Sequence, residues 1–198
     1  MPILPIDTGR YGTPEMLKIF DEENRLQKLL DVEAALALAH AKVGNIPERD
    51  AEKIAKMAST KYIKLKRVKA IEREIKHDIA ALVRALSEQC GPSGAYVHLG
   101  ATSYDIVDTA NALQLKDAIA IIEKKLAEFK VILQKQAGIH KGTVMIGRTH
   151  GQHALPITLG FKFAVWGYEV NRHLQRLKNA RNACWLGKSA VPSAHRQA

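Results

Sequence analysis

Cysteine is scarce in this chain: Cys90 and Cys184 are the only two among 198 residues, and they lie far apart. Two isolated cysteines exclude a disulfide framework and a thiolate metal pair, and they fit a reducing compartment. Aromatic residues make up only 6% of the chain. Long apolar runs are missing as well. The longest, Val32 to Val43, is interrupted by Glu33 and His40 and is too short to span a bilayer. The segment Met1 to Arg10 lacks a basic stretch followed by an apolar one, so no signal peptide and a cytoplasmic location are expected. No stretch reads as a convincing strand, and no internal repeat is visible.

What is present favours helix: Ala, Leu, Ile, Lys and Glu dominate. Thr13-Pro14-Glu15 combines a cap, a proline at the first helical position and an acid in the first turn. Apolar residues then recur with helical spacing to Val43, and Gly44 closes the helix. A shorter helix is expected from Pro47 to about Ser59. A third is expected from Lys66 to Cys90, stopped by Gly91-Pro92. A very long one is expected from about Asp105 to Ile139, of the kind that serves as a bundle strut, and a last one from Ile157 to Gly187. The formal net charge is +10, densest over Lys61–Lys76. That run includes Glu72 and Glu74 and reads as a solvated helix face, which makes nucleic acid an unlikely partner.

The polar chemistry falls between these helices. Gly147-Arg148-Thr149-His150-Gly151-Gln152-His153 supplies two imidazoles, a guanidinium and a hydroxyl on a glycine-punctuated loop whose ends long helices fix. His150 is the candidate proton donor, since imidazole titrates near neutral pH. The competing reading is a connecting loop whose histidines cap helix ends. A second polar connection, 91–104, carries His98, Thr102 and Ser103. His77 and Asp78 are placed near the middle of the third helix, and Arg10 and Tyr11 at the end of an extended arm. No histidine pair has the helical zinc spacing beside a glutamate and no cysteine is near, so no metal is expected.

Gly100-Ala101-Thr102-Ser103-Tyr104-Asp105 and Gly147-Arg148-Thr149-His150-Gly151-Gln152-His153-Ala154 resemble two regions of the fumarase/aspartase superfamily. Within it, Lys76-His77-Asp78 and Gly9-Arg10-Tyr11, followed by Pro14-Glu15-Met16, look like the adenylosuccinate lyase family. The resemblance runs from about Arg10 to Gly187. It implies an all-α fold: an N-terminal helical domain over 1–100, then part of a long-helix bundle over 101–187, with 188–198 a tail unlike the family. It implies β-elimination of fumarate from adenylosuccinate to give AMP, and from the related succinocarboxamide ribonucleotide, with no cofactor. His150 would be the general acid. Arg10, Tyr11, Lys76, His77, Asp78, His98, Thr102, Ser103 and Thr149 would contact or enclose the nucleotide substrate. The family works as a homotetramer with each site built from several subunits.

One departure is large. The family's general base is a serine on a Gly-Ser-Ser-x-Met-Pro-x-Lys loop, and this sequence has no such motif. Family members are also much longer. The chain is therefore expected to be truncated, to carry half a site, to be inactive alone and to expose an apolar bundle face. Two alternatives stand: another lyase of the superfamily, or a catalytically dead helical module that binds anions or nucleic acid.

Overall fold

The computed structural model describes residues 10–183, and these fall into two compact units, 10–115 and 116–183. The element order is α1 (Pro14–Phe20), α2 (Glu22–Lys42), α3 (Glu48–Met57), α4 (Leu65–Ile75), α5 (Asp78–Cys90), a 3-10 helix (Gly91–Tyr96), α6 (Ser103–Ile139), β1 (Val144–Thr149), β2 (Gln152–Thr158) and α7 (Leu159–Ala183). The architecture is helical, with one two-stranded antiparallel sheet. The sequence expectation of the tail, and of the last helix beyond Ala183, lies outside the described residues.

In the first unit, α2 to α5 pack around Leu30, Ile54, Ile63, Ile71, Leu82 and Leu86, all essentially without exposure. Burying a leucine of this kind contributes about 1.5–3 kcal/mol. Cys90 is in this core, and burial pushes its thiol up from its usual range, which makes it a poor nucleophile. The basic run on α4 is partly paired: Arg67 forms a two-pronged bond with Glu88 on α5 (2.6 and 2.9 Å), and Lys69 pairs with Glu22 on α2.

Two helices expected to be continuous are each broken in two. The first breaks at Asp21, whose carboxylate caps α2 by accepting from the Asn24 N–H at 2.6 Å. The break turns the Ile19 carbonyl toward Asn24 Nδ2 and Gln114 Nε2, which both donate to it at 2.7 Å. The second breaks at Lys76, which closes α4 in the left-handed conformation with its N–H on the Glu72 carbonyl at 2.7 Å. His77 then opens α5 as its cap. His77 and Asp78 are thus at a helix junction, not in mid-helix.

In the second unit, the segment expected to be a loop is a β-hairpin. Thr149 pairs with Gln152 and Arg148 with His153, leaving His150 and Gly151 as a two-residue turn. Both have positive φ (52° and 75°), the signature of a type I′ turn, whose twist suits a hairpin. Pro156 sits opposite Ile146. A proline is tolerated there because a two-stranded sheet consists only of edges. Gly147 lies at the irregularity in β1, where an added Cβ would be 2.6 Å from the Leu155 carbonyl oxygen. The hairpin is tied at its base: Leu159 N–H donates to the Thr143 carbonyl (2.8 Å) and Gly160 N–H to the His140 carbonyl (2.9 Å). The α6 and α7 helices are joined by Lys130 to Asn171 and by Arg181 to Glu123, both at 2.7 Å.

Candidate active site

The sequence candidates fall into three groups, two in the first unit and one in the second. Lys76, His77 and Asp78 form the α4–α5 junction. The Nδ1 lone pair of His77 accepts from the Ala80 N–H at 3.2 Å, which leaves the ring proton on Nε2. Asp78 Oδ1 accepts from the Ile79 N–H at 2.8 Å and stands 3.6 Å from His77 Nδ1. All three side chains are exposed, and Lys76 borders a cleft with Glu22, Lys69, Glu72 and Arg73.

The second group follows the 3-10 helix. His98 is in the left-handed region (φ 63°), and its Nδ1 donates to Glu33 Oε1 at 2.6 Å. Glu33 is only 1% exposed, and its second carboxylate oxygen has no hydrogen-bond partner. The Glu33 bond is the largest influence on His98 and raises its pKa above the ordinary 6.5; burial opposes this, while the Glu33 and Asp105 charges add to it. Asp105 Oδ2 accepts from the Thr102 N–H at 2.9 Å, fixing the start of α6 where Ser103 is the first residue. The hydrogen bonds of the first group are local, and α5 plus the 3-10 helix separate it from the second along the chain. Arg10 and Tyr11 precede α1, both exposed.

In the second unit, Thr149 ends β1, His150 occupies the hairpin turn, and both are exposed. An imidazole at the tip of a short hairpin is presented to its surroundings with little covering it. The turn position normally favours Asn, Asp or Gly. Among the described residues, the non-glycine positions with positive φ are Lys76, His98 and His150. Such conformations cost on the order of 1–3 kcal/mol each and persist only where the surrounding structure over-determines them.

Glu33, the buried partner of His98, is not marked as a candidate by any motif of the sequence. Its signal was a single acid inside the apolar run Val32 to Val43. Among the described residues there is no group of three or more His, Cys, Asp or Glu side chains placed to hold a metal ion, and no helix long and apolar enough to cross a membrane.

Residues 9–193 match the family model described as Lyase. The chain is 60% identical over 188 residues to the adenylosuccinate lyase of Pyrococcus horikoshii, covering 95% of this chain and 42% of that protein. It is 58% identical over 182 residues to the adenylosuccinate lyase of Methanocaldococcus jannaschii, covering 91% and 39%. It is also 42% identical over 179 residues to the N-acetyl-S-(2-succino)cysteine lyase of Dickeya dadantii, covering 90% and 39%. The fold matches the crystal structure of a fumarate lyase from Mesorhizobium sp. BNC1 with a TM-score of 0.85 at 35% identity, over 92% of this chain and 44% of that one. The 3-carboxy-cis,cis-muconate lactonizing enzyme of Pseudomonas putida matches equally well, at 0.85 and 35%, over 93% and 43%. The chain thus spans about two fifths of the length of the curated relatives it matches. With nearly its whole length matched, the chain belongs to the lyase family of the fumarase/aspartase superfamily.

Proposed function

We propose that this chain supplies the general acid and part of the nucleotide-binding surface of an adenylosuccinate lyase. The observation that carries the reading is the coincidence of strain with motif: Lys76, His98 and His150, one from each group, are held at positive φ. The relatives with this half-chain at 58–60% identity are named adenylosuccinate lyases.

In the elimination, a base takes the proton from the carbon beside one substrate carboxylate. The C–N bond then breaks with its electrons passing to nitrogen, and His150 delivers the proton that nitrogen needs to leave as the amine of AMP. Fumarate is the other product. The charge building on the carboxylate calls for cations and N–H or O–H donors aimed at it, the role of His98, Thr102 and Ser103. Lys76, His77 and Asp78 contact the substrate. Among them His77, its Nδ1 engaged by the α5 cap, offers Nε2–H to the phosphate side. Thr149 assists beside His150, and Arg10 and Tyr11 close over the nucleotide. The base is a serine outside these 198 residues. The domain division expected from the sequence, the cytoplasmic location and the homotetramer belong to the same proposal.

The test is fumarate release from adenylosuccinate by this chain, alone and with the C-terminal half of the Pyrococcus horikoshii relative added in trans. Release only on complementation supports the reading. No release in either case, with the chain folded, contradicts it. A second reading rests on the Dickeya relative, whose name gives a substrate that also carries a succino group. Preferential cleavage of N-acetyl-S-(2-succino)cysteine by the complemented enzyme would favour that one.

A further inference from the structure

We propose that Glu33 is a positioning residue for His98: its buried carboxylate holds Nδ1 and leaves Nε2–H as the donor offered to an anionic oxygen group of the substrate. The inference rests on the lyase reading and extends it to a residue outside the recognisable motifs.

The geometry starts on α2. Glu33, Ala37 and His40 are spaced four and three residues apart and share one face of the helix. That face grips the strained connection before α6 at two points. Glu33 Oε1 takes the His98 Nδ1 proton at 2.6 Å. His40 Nε2 donates to the Leu99 carbonyl at 2.9 Å, and its Nδ1 accepts from Asn45 Nδ2 at 2.9 Å. His98 and Gly100 both need positive φ (63° and 68°), so the connection needs such anchors to stay in place.

The chemistry follows from burial. The Glu33 side chain has no exposure, and that of His98 has 19%. A buried carboxylate costs several kcal/mol unless a cation balances it. Glu33 leaves one oxygen unpartnered, so its charge has a single hydrogen-bond donor to lean on. A protonated His98 balances it. With Nδ1 occupied, the ring's remaining polar atom is Nε2. Asp105 on α6 adds a second negative charge facing the ring, which raises its proton affinity further. His40 is the other titratable group of α2 at this connection, and its two nitrogens are already committed. The connection then presents a fixed positive donor next to Thr102 and Ser103. A neutral imidazole would lack the charge, and a free ring would lack the orientation.

The experiment uses the chain complemented with the C-terminal half of the Pyrococcus horikoshii relative: NMR follows the His98 ring resonance against pH in wild type and Glu33→Gln, and adenylosuccinate binding is titrated in these two, in His98→Asn and in the double variant. Glu33→Gln should lower the His98 titration midpoint and weaken adenylosuccinate at pH 7 by about tenfold, the scale of one charge-assisted contact. The alkaline limb of binding should move to lower pH. His98→Asn should weaken binding as much, and the double variant no further, because Glu33 acts through His98. An unchanged His98 midpoint, or additive losses, overturns the proposal. Binding that does not differ between wild type and Glu33→Gln overturns the pair's role alone. Absence of binding by every protein, with the midpoint shift present, overturns the substrate role together with the lyase reading. If Glu33→Gln does not fold, His98→Asn decides: the alkaline limb must vanish, and its persistence overturns the proposal. AMP and succinate, titrated separately, tell a phosphate from a carboxylate; a response of His98 to either supports the proposal, and to neither overturns it.

Discussion

Lys76 holds a left-handed backbone (φ 57°, ψ 32°) at the point where α4 stops. That conformation costs a side-chain-bearing residue about 1–2 kcal/mol, and glycine escapes the penalty. Lys76→Gly should therefore raise the unfolding free energy by roughly 1 kcal/mol, measured by urea denaturation, while lowering kcat/KM of the complemented enzyme. A loss of stability would mean that the lysine side chain holds the junction instead. At His98 the consequence is a pH dependence. Its folded pKa is raised above the unfolded value near 6.5, chiefly by the Glu33 bond. The pair's contribution is then fully present below that value and is lost as pH rises through the folded pKa. Stability of wild type should fall on that alkaline side, and Glu33→Gln should flatten the fall. At residue scale the sequence marked its candidate side chains, because histidines, lysines and hydroxyls stand in tight motifs. It did not show their backbone. Nothing in Lys76-His77-Asp78 announces a left-handed lysine, since no glycine or proline marks the place. The partner of His98 was equally hidden: Glu33 is 65 residues away.

The elements were read well where one helix has its own start and stop signals. Predicted bounds for α3 and α6 agree with the structure to within a few residues, as does the start of α7. The breaks at Asp21 and Lys76 were missed because the apolar pattern continues across both, so periodicity alone sees one helix. The Asp21 break did carry a signal: an aspartate followed by two acids is a cap with a charged first turn. The hairpin was missed for two reasons. Pro156 argued against a strand, and the turn carries a histidine where Asn or Asp is usual. Its geometry makes a prediction at this scale. Gly147→Ala puts a methyl group 2.6 Å from the Leu155 carbonyl oxygen, a contact that only backbone movement can relieve. It should displace the hairpin and reduce activity of the complemented enzyme by about tenfold or more through misplacement of His150, with the first unit intact by NMR. An unperturbed hairpin with full activity would contradict this account. In the first unit, Leu86→Ala removes a side chain with no exposure and should cost about 2–5 kcal/mol.

For the molecule as a whole, the second unit leaves large apolar side chains uncovered. Phe129, Val131, Ile132 and Ile139 on α6 and Phe161, Val165 and Tyr168 on α7 are each 45–71% exposed. More than half of the relatives' length lies outside what the chain matches. The chain alone should therefore self-associate, seen as a concentration-dependent sedimentation coefficient, and the C-terminal half of a relative added in trans should suppress this. A monomer at all concentrations would mean that these side chains need no partner.

The central claim is that His150, at the hairpin tip, delivers the proton to the leaving nitrogen. Its direct test is the single-turnover rate of fumarate release by the complemented enzyme carrying His150→Asn, a residue that tolerates the positive φ of the turn. The account predicts a fall of about 100-fold or more, the scale of one general acid, with the chain folded as in wild type and adenylosuccinate still bound. Release near the wild-type rate would contradict it.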